Sequence, residues 1–385
     1  MAETLPQIDQ AEPGLLRRLS QVNGRGKVIS IYLNLDPSQF VTPSARESQI
    51  RSVLKEAADQ IEDLDTGDER VALRKDLESV ERSLSESDDF NGAASVAVFR
   101  SSARDLFRVV KVLEPLETSA HVGEFLRIFP LVEVIKPDKW CVTLIDRRNA
   151  RLFTGTPAAL TQVAEIVDDV HSQHDQGGWS QARYQRSVEE EVEDHLKGVA
   201  QRLFALHGRE GFDRLVIGAA EELWPRVAKH LHPYLAEKLV TQIEVDVQNI
   251  SVAELEGRIK QLQAEGERRR EAILVKRLRQ ELGSSARGAS GLHQVLDRLN
   301  DASVETLLID RRFDAAGVYC PECGYLAVQG KRCPADGEIL IPVESIVEKI
   351  IERSYAVSAE VVVFKQTEDV TDLGGVAALL RFQSG

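Results

Sequence analysis

The sequence predicts a mixed α/β protein built from three α/β domains, and three observations support this fold class. Its 385 residues suffice for two to three domains of ordinary size. Short strand-like apolar runs alternate with segments whose apolar residues repeat at helical spacing. Capping boxes at Ser187 and Ser251, each followed three residues later by glutamate, mark helix starts. We predict an N-terminal domain over 1–136, a central domain over 137–250 and a C-terminal domain over 251–385.

Composition narrows the classes of function. A net charge of −14 argues against a general nucleic-acid binder, because attraction to phosphates is the sequence-independent part of such binding. Local basic surfaces remain compatible with that total. No apolar run approaches ~18 residues and the N-terminus lacks a secretory pattern, so we expect a cytoplasmic protein with no membrane partner. Four cysteines, three of them clustered, do not indicate a disulfide framework.

The N-terminal domain shows the pattern of an α/β sandwich. The segments with strand-like character are 27–36, 93–99 and 106–113, and those with helical spacing lie around 53–64 and 69–83.

The central domain begins with a predicted β-hairpin over Trp140 to Gly155. Three arginines lie in or beside its turn, and both a solvated turn and an RNA contact suit them: Arg147, Arg148 and Arg151. Further along, 213–219 predicts a buried strand, 221–232 a helix stopped by Pro233, and 240–247 another strand, which together indicate a largely parallel or mixed sheet.

A polar segment from His171 to Arg186 interrupts this domain. It contains Gly177 and Gly178 and has no aliphatic residue before Ala182, so it buries too little apolar surface to offset its ordering entropy. We predict an exposed, mobile loop standing on a helix that begins at Ser187. The apolar stripe of that helix is Val188, Val192, Leu196, Val199 and Leu203.

The residues of this loop suit contact with RNA better than a self-contained hydrolytic site. Glycine backbone permits close approach to a ligand, an amide both donates and accepts, arginine suits phosphate and an indole ring stacks on a base. The side chains with this potential are Trp179, Gln181, Arg183 and Arg186. Ser180 has His171 and His174 nearby, but a triad also needs an orienting group and an oxyanion hole, so we interpret both histidines as solvated.

The C-terminal domain opens with a long amphipathic helix, 251–282, which Gly266 is expected to bend or end. Its second half is rich in arginine, and both a solvated face paired with glutamates and an RNA-backbone contact fit this pattern. A small-residue connector, 283–291, precedes further alternation in which 341–353 is predicted to be a helix.

A cysteine knuckle over 318–338 is inserted in this domain. CPECG is followed by CPADG, so two thiolates separated by two residues face a third thiolate and a carboxylate. The predicted ligands of a structural zinc ion are Cys320, Cys323, Cys333 and Asp336. The alternative is a metal-free, degenerate zinc ribbon.

Gly177, Gly178 and Gln181, followed by Arg183 and Arg186 at the start of a helix, resemble the Gly-Gly-Gln loop of archaeal and eukaryotic class-one release factors. Two residues separate the glycines from the glutamine, as in the Gly-x-x-Gln loop of ribosome-quality-control peptidyl-tRNA hydrolases. The hairpin also fits, and the chain is identified as similar to the bacterial release-factor-like proteins, which are related to Pelota and Balon.

The resemblance implies a function on the ribosome. Gly177, Gly178 and Gln181 would be catalytic in hydrolysing peptidyl-tRNA on stalled ribosomes. Trp179, Arg183, Arg186 and the hairpin arginines would contact RNA. The implied partners are the ribosomal A site with its rRNA, peptidyl-tRNA and a translational GTPase. The alternative is a hibernation or rescue factor that occupies the A site without catalysis.

Overall fold

The computed structural model describes residues 6–10, 13–22, 24, 26–36, 43–64, 67–86, 90, 93–134, 138–168, 181–284, 287–365 and 371–382. The chain divides into two compact units, Met1–Lys136 with Glu267–Gly385 (unit 1) and Pro137–Gly266 (unit 2). Both units combine helices with sheets, which confirms the α/β fold class. The finer three-domain division stays a prediction.

The described strands, numbered in chain order, are β1 Gln7–Gln10, β2 Val28–Asn34, β3 Ser95–Ser101, β4 Leu106–Val112, β5 Ser119–Gly123, β6 Trp140–Ile145, β7 Asn149–Thr156, β8 Ala159–Val167, β9 Arg214–Ala219, β10 Leu239–Ile243, β11 Gly288–Ser290, β12 Val304–Asp310, β13 Gly317–Tyr319, β14 Leu326–Ala327, β15 Ile341–Val343, β16 Glu360–Phe364 and β17 Val376–Leu380. The described α-helices are α1 Pro13–Ser20, α2 Pro43–Glu62, α3 Gly67–Glu86, α4 Phe129–Val132, α5 Gln181–Glu210, α6 Trp224–His230, α7 Pro233–Lys238, α8 Val252–Ser284, α9 Leu292–Asn300 and α10 Val347–Ala356.

Unit 1 contains a five-stranded sheet in the order β1-β4-β3-β2-β5, in which only the β1–β4 pair is parallel. Strand β2 is buried along its whole length because both faces of the sheet are covered. Ile29, Ile31 and Leu33 point to one face and pack with α2 and α3. Val28 and Tyr32 point to the other face, where they join a core that includes α1, α9 and α10.

A second sheet of unit 1 has the order β11-β17-β12-β16. Leu307 and Ile309 of β12 face the core shared with the first sheet. Leu308 faces the opposite side and packs with Val275 and Leu278 of α8. Beside it, β13 pairs antiparallel with both β14 and β15 and supports the cysteine knuckle.

Unit 2 is built on one mixed sheet, β10-β9-β6-β7-β8. The β6–β7 pair is the predicted hairpin, and β9 lies parallel to both β6 and β10. Helix α5 covers one face, where Leu215 and Ile217 are buried against it. Leu255 and Ile259 of α8 pack on the other face, so the buried strand predicted near 213–219 is confirmed.

Several predicted boundaries are wrong, for local reasons. The predicted helix 341–353 begins only at Val347, because Ile341–Val343 pairs with β13 as a strand. Helix α6 starts at Trp224 with a proline at its first turn, and Pro233 begins α7 instead of only stopping α6. Gly266 does not end the helix, since α8 extends from Val252 to Ser284.

Within the described ranges, no helix has the length and apolar character needed to cross a membrane.

Candidate functional site

The predicted site residues of the loop divide into those outside the described part of the chain and those in helix α5. Three of the predicted site residues lie outside the described residues: Gly177, Gly178 and Trp179. Gln181 is the first residue of α5, and Arg183 belongs to its first turn. Arg186 lies in the same helix and is exposed. The catalytic and RNA-binding roles of these residues stay predictions.

Helix α5 begins at Gln181, so the prediction that it starts at the Ser187 capping box is wrong. The residues from Gln181 to Arg186 include alanine, glutamine and arginine, whose helix propensities are favourable, and contain neither glycine nor proline. The helix therefore propagates back past the capping signal. As a result, Gln181 stands at the end of a helix and not within the loop.

The 30-residue helix α5 is held on the sheet by the predicted apolar stripe. Val192, Leu196 and Val199 are at most 1% exposed. They belong to one core with Cys141, whose thiol has a pKa raised to about 12 by burial. Cys141 therefore packs as a small buried apolar residue, and its thiol is too weakly acidic to serve as a nucleophile.

A buried histidine joins α5 to the residue where the described part of β8 ends. The Nδ1 atom of His195 lies 2.6 Å from Oδ2 of Asp168, and the His195 side chain is fully buried. The backbone N–H of Asp168 donates to the carbonyl of Arg148 at 2.9 Å. Sequence reasoning missed this pair, although one signal was present: His195 is three residues after Val192 and four before Val199, on the apolar face of the helix.

An ionic cluster fastens α6 to α5. Glu193 accepts hydrogen bonds from Lys229 (2.9 Å), His230 (2.8 Å) and Arg226 (3.1 Å). These bonds, led by that of Lys229, lower the pKa of the Glu193 carboxyl to about 2. The hydrogen bonds of this cluster connect α6 to α5, so it has a structural role.

The three arginines of the hairpin have different surroundings. Arg147 is 44% exposed and lies 3.8 Å from Glu222. Arg151 donates to the Val247 and Ile250 carbonyls at 3.3 and 3.2 Å, and its guanidinium also contacts Gln162 and lies over the Phe153 ring. Arg148 contributes backbone contacts to the turn. Arg151 thus braces unit 2, while RNA contact by any of the three stays a prediction.

The turn of this hairpin is shaped by Asp146. Its Oδ1 accepts the N–H groups of Arg148 (2.7 Å) and Asn149 (2.6 Å), and its Oδ2 accepts from Gln248 at 3.1 Å. Burial alone would raise the pKa of the Asp146 carboxyl, but these hydrogen bonds lower it below its ordinary value. The Asp146 carboxylate therefore stays ionised and holds the backbone of Arg148 in place. The carbonyl of Arg148 in turn accepts the N–H of Asp168.

The predicted metal ligands lie together in the knuckle. The Sγ atoms of Cys320, Cys323 and Cys333 and a carboxylate oxygen of Asp336 all lie within 4.8 Å of one another. Cys320 Sγ is 3.2 Å from Asp336 Oδ2, and the sulfur atoms of Cys323 and Cys333 are 3.5 Å apart. The four side chains converge closely enough to hold one metal ion.

The backbone repeats the same turn on both sides of this cluster. Gly324 N–H donates to the Cys320 carbonyl and Gly337 N–H to the Cys333 carbonyl, both at 3.0 Å. Both glycines have positive φ, +72° and +78°, which other residues rarely adopt. This explains why CxxC and CxxD are each followed by glycine.

The proton affinities of two side chains in the cluster shift in opposite directions. Loss of hydration around the sulfur atom, then hydrogen bonding with Asp336, raises the pKa of the Cys323 thiol to about 12. Hydrogen bonds, first from Cys323, lower the pKa of the Asp336 carboxyl. The Cys323 thiol therefore holds its proton tightly, whereas Asp336 provides an ionised carboxylate. Binding of a metal ion would have to displace the proton of Cys323.

The arginine-rich half of α8 is largely engaged with carboxylates of other elements. Arg277 pairs with Glu305 at 3.0 Å, which raises the pKa of the guanidinium. Arg270 pairs with Glu360 (3.0 Å) and Arg279 with Asp372 (3.1 Å). These contacts favour the interpretation of a paired, solvated helix face, although the acids come from unit 1 strands and loops and not mainly from α8 itself.

Comparison with known proteins identifies a family model and relatives that are similar to this chain. The model of bacterial archaeo-eukaryotic release factor family 10 matches residues 127–264, which include nearly all of unit 2. Peptide chain release factor subunit 1 of Methanopyrus kandleri is 24% identical over 335 residues, 81% of this chain and 77% of that protein. The chain is therefore similar to release factors, in unit 2 by the family model and over most of its length by this relative. The resemblance inferred from the glycine loop is thereby confirmed.

Two further proteins are similar to most of the chain. The Pelota homologue of Natronomonas pharaonis is 23% identical over 274 residues, 68% of this chain and 66% of that protein. The crystal structure of Archaeoglobus fulgidus Pelota, 15% identical, matches with a TM-score of 0.38 over 96% of this chain and 92% of that chain.

Proposed function

We propose that this release-factor-like protein acts on stalled ribosomes and hydrolyses peptidyl-tRNA there. The observation that supports the proposal is the match of release factor family 10 to the unit that carries Gly177, Gly178 and Gln181. A peptide chain release factor aligned over 81% of the chain agrees with this assignment.

The proposed chemistry uses little from the protein beyond its loop. Backbone N–H groups near Gly178 and Gln181 would stabilise charge that develops on the ester during hydrolysis. The Gln181 amide would position a water molecule or the terminal ribose hydroxyl. Because Gln181 begins a helix, its backbone lies on a rigid element. The remaining groups would come from the ribosome.

The partners follow from this proposal. The loop would enter the peptidyl-transferase centre from the A site and contact rRNA and peptidyl-tRNA, with Trp179, Arg183 and Arg186 nearest the RNA. A translational GTPase would deliver the protein, and the site of action would be the cytoplasm.

The second candidate is a hibernation or rescue factor that occupies the A site without catalysis. Trp179 and Ser180, which separate the glycines from Gln181, favour it. The two residues shift the glutamine relative to a Gly-Gly-Gln loop, and a misplacement of ~1 Å costs on the order of 100-fold in rate.

Peptide release from purified stalled ribosomes with labelled peptidyl-tRNA separates the two candidates. The variants are Q181A and, as a control, Q201A, which changes an exposed glutamine further along α5. We expect the wild type and Q201A to release peptide and Q181A to be slower by about 100-fold or more, with ribosome binding retained. Equal release by the wild type and Q181A, with intact ribosome binding, would refute hydrolysis and leave the non-catalytic function.

We further propose that Cys320, Cys323, Cys333 and Asp336 bind a structural zinc ion. Three thiolates with one carboxylate form a donor set that zinc accepts, and the two glycine turns already bring the donors together. The bound ion would stabilise the fold of the knuckle.

Metal analysis of purified protein tests this site. C323S removes one ligand, and C141A changes the cysteine outside the knuckle. We expect about one zinc ion per chain in the wild type and in C141A and a marked loss in C323S. A wild type free of metal after purification in zinc-containing medium would favour the degenerate ribbon.

A further inference from the structure

The pair formed by Asp168 and His195 joins the end of β8 to helix α5 in unit 2. Asp168 directly follows β8 and is the last described residue before 169–180, the segment that contains the two glycines. His195 lies in α5, the helix that begins with Gln181. Fourteen residues of helix rising 1.5 Å each place His195 about 21 Å from Gln181 along the axis. The pair therefore ties the two chain segments that flank the loop.

Two hydrogen bonds hold Asp168. Its Oδ2 is 2.6 Å from His195 Nδ1, and its N–H donates to the Arg148 carbonyl at 2.9 Å. Arg148 is itself fixed, because its N–H donates to Asp146 at 2.7 Å. Side chain and backbone of Asp168 are thus bound to two different elements, the helix α5 and the β6–β7 turn.

In the hydrogen bond between His195 and Asp168, the histidine is the donor. An ionised carboxylate only accepts hydrogen bonds, so Nδ1 of His195 carries the hydrogen. The His195 side chain is fully buried, whereas that of Asp168 is 45% exposed. The Nε2 atom of His195 has no partner among the described residues. The hydrogen bond to Asp168 thus compensates for burying the imidazole of His195. If Asp168 moved away, His195 would lose this hydrogen bond.

We propose that Asp168 and His195 are positioning residues that fix where the glycine loop leaves the sheet. Neither residue touches the reacting groups. By holding Asp168 against α5, the pair fixes the residue at which the chain leaves β8 relative to the helix that begins with Gln181. The effect on catalysis rests on the proposed function, whereas the positioning itself does not.

Four variants test the pair. D168A removes the acceptor and H195L removes the donor while retaining an apolar side chain in the core. H195N retains a donor, because the amide nitrogen of asparagine stands near the place of Nδ1. V192A is the matched control, since Val192 is buried in the same helix and takes no part in the pair.

Hydrogen exchange provides the first measurement. In D168A and H195L we expect amide exchange at residues 165–168 to accelerate about 5- to 10-fold, which is below the usual effect of losing a charged hydrogen bond because Asp168 is half-exposed. H195N should restore most of the protection, and V192A should leave these amides no more affected than the rest of unit 2. Unchanged exchange in both D168A and H195L, or equal acceleration in V192A, would overturn the pair as a positioning device.

Peptide release provides the second measurement. We expect D168A and H195L to lower kcat about 10-fold with little change in KM, and H195N to recover most of the loss. If exchange accelerates and kcat does not fall in an active protein, the link to the loop is refuted. If the wild type releases no peptide, the proposed hydrolysis fails while the exchange measurement still decides the pair.

Discussion

The buried carboxyl of Glu348 leads us to expect that unit 1 loses stability as the pH rises. Its carboxylate, on α10, accepts the N–H groups of Ile128 (2.9 Å) and Phe129 (3.2 Å) at the start of α4. Burial raises the pKa of this carboxyl to about 8, although those N–H groups and the charge of Arg127 act in the opposite direction. Glu348 thus links the N-terminal and C-terminal parts of the unit through a carboxyl that favours its protonated form.

The sign of the effect follows from linkage. The folded state binds the proton more tightly than the unfolded state, whose pKa is the ordinary 4.5. The stabilising contribution is therefore complete below about pH 4.5 and is lost as the pH rises towards about 8. The full shift corresponds to about 5 kcal/mol. Because Glu348 is only partly buried as a residue, we expect about half, on the order of 2 kcal/mol.

Urea unfolding of the wild type, E348Q and E344Q at about pH 5 and pH 8.5 measures this effect. E348Q is neutral at both pH values, and E344Q neutralises an exposed glutamate nearby. The wild type and E344Q should each lose about 2 kcal/mol more than E348Q on going from the lower to the higher pH. Parallel behaviour of E348Q and the wild type would refute the reasoning. A wild type that gains stability relative to E348Q would mean that the two N–H groups outweigh burial.

Two further substitutions test packing and backbone geometry. L196A truncates a side chain of α5 that is 1% exposed, and it should lower the free energy of unfolding by about 3 kcal/mol in the same urea titration. The control K197A changes an exposed residue of the same helix and should alter the free energy of unfolding by less than about 0.5 kcal/mol. G337A places a side chain at φ +78° in the knuckle and should cost about 1 kcal/mol together with weaker zinc retention, although nothing lies within 4 Å of the added Cβ. G257A, in an open position of α8, should instead be neutral or stabilising by up to about 1 kcal/mol, so equal losses in the two glycine variants would contradict a conformational cause.

Strong periodic patterns in the sequence predicted the corresponding elements well. The hairpin near 140–155, the strand at 213–219 and the stripe on α5 were all identifiable, because strands and helices repeat at different periods. The Ser251 capping box also functions as predicted: its Oγ accepts the Glu254 N–H at 3.2 Å. Where a local signal and the tertiary context agree, a single sequence is sufficient.

Boundaries failed where two local signals competed. The same kind of capping box at Ser187 lies inside α5, because the residues before it also favour a helix. Ile341–Val343 resembles the beginning of a helix, but its backbone groups are bonded to β13. Sequence gives the propensity of each segment, whereas a partner strand from elsewhere in the chain decides between the alternatives.

The sequence by itself determined the α/β class, the resemblance to release factors and the four side chains that converge in the knuckle, because these depend on periodicity and on short motifs. Only the tertiary structure brought Asp168 to His195, 27 positions away, and Glu348 to Ile128, 220 positions away. It likewise paired the arginines of α8 with acids from distant segments. Contacts of this kind arise when the packing of apolar faces sets the positions of whole elements, and polar partners then meet at places that no local pattern encodes.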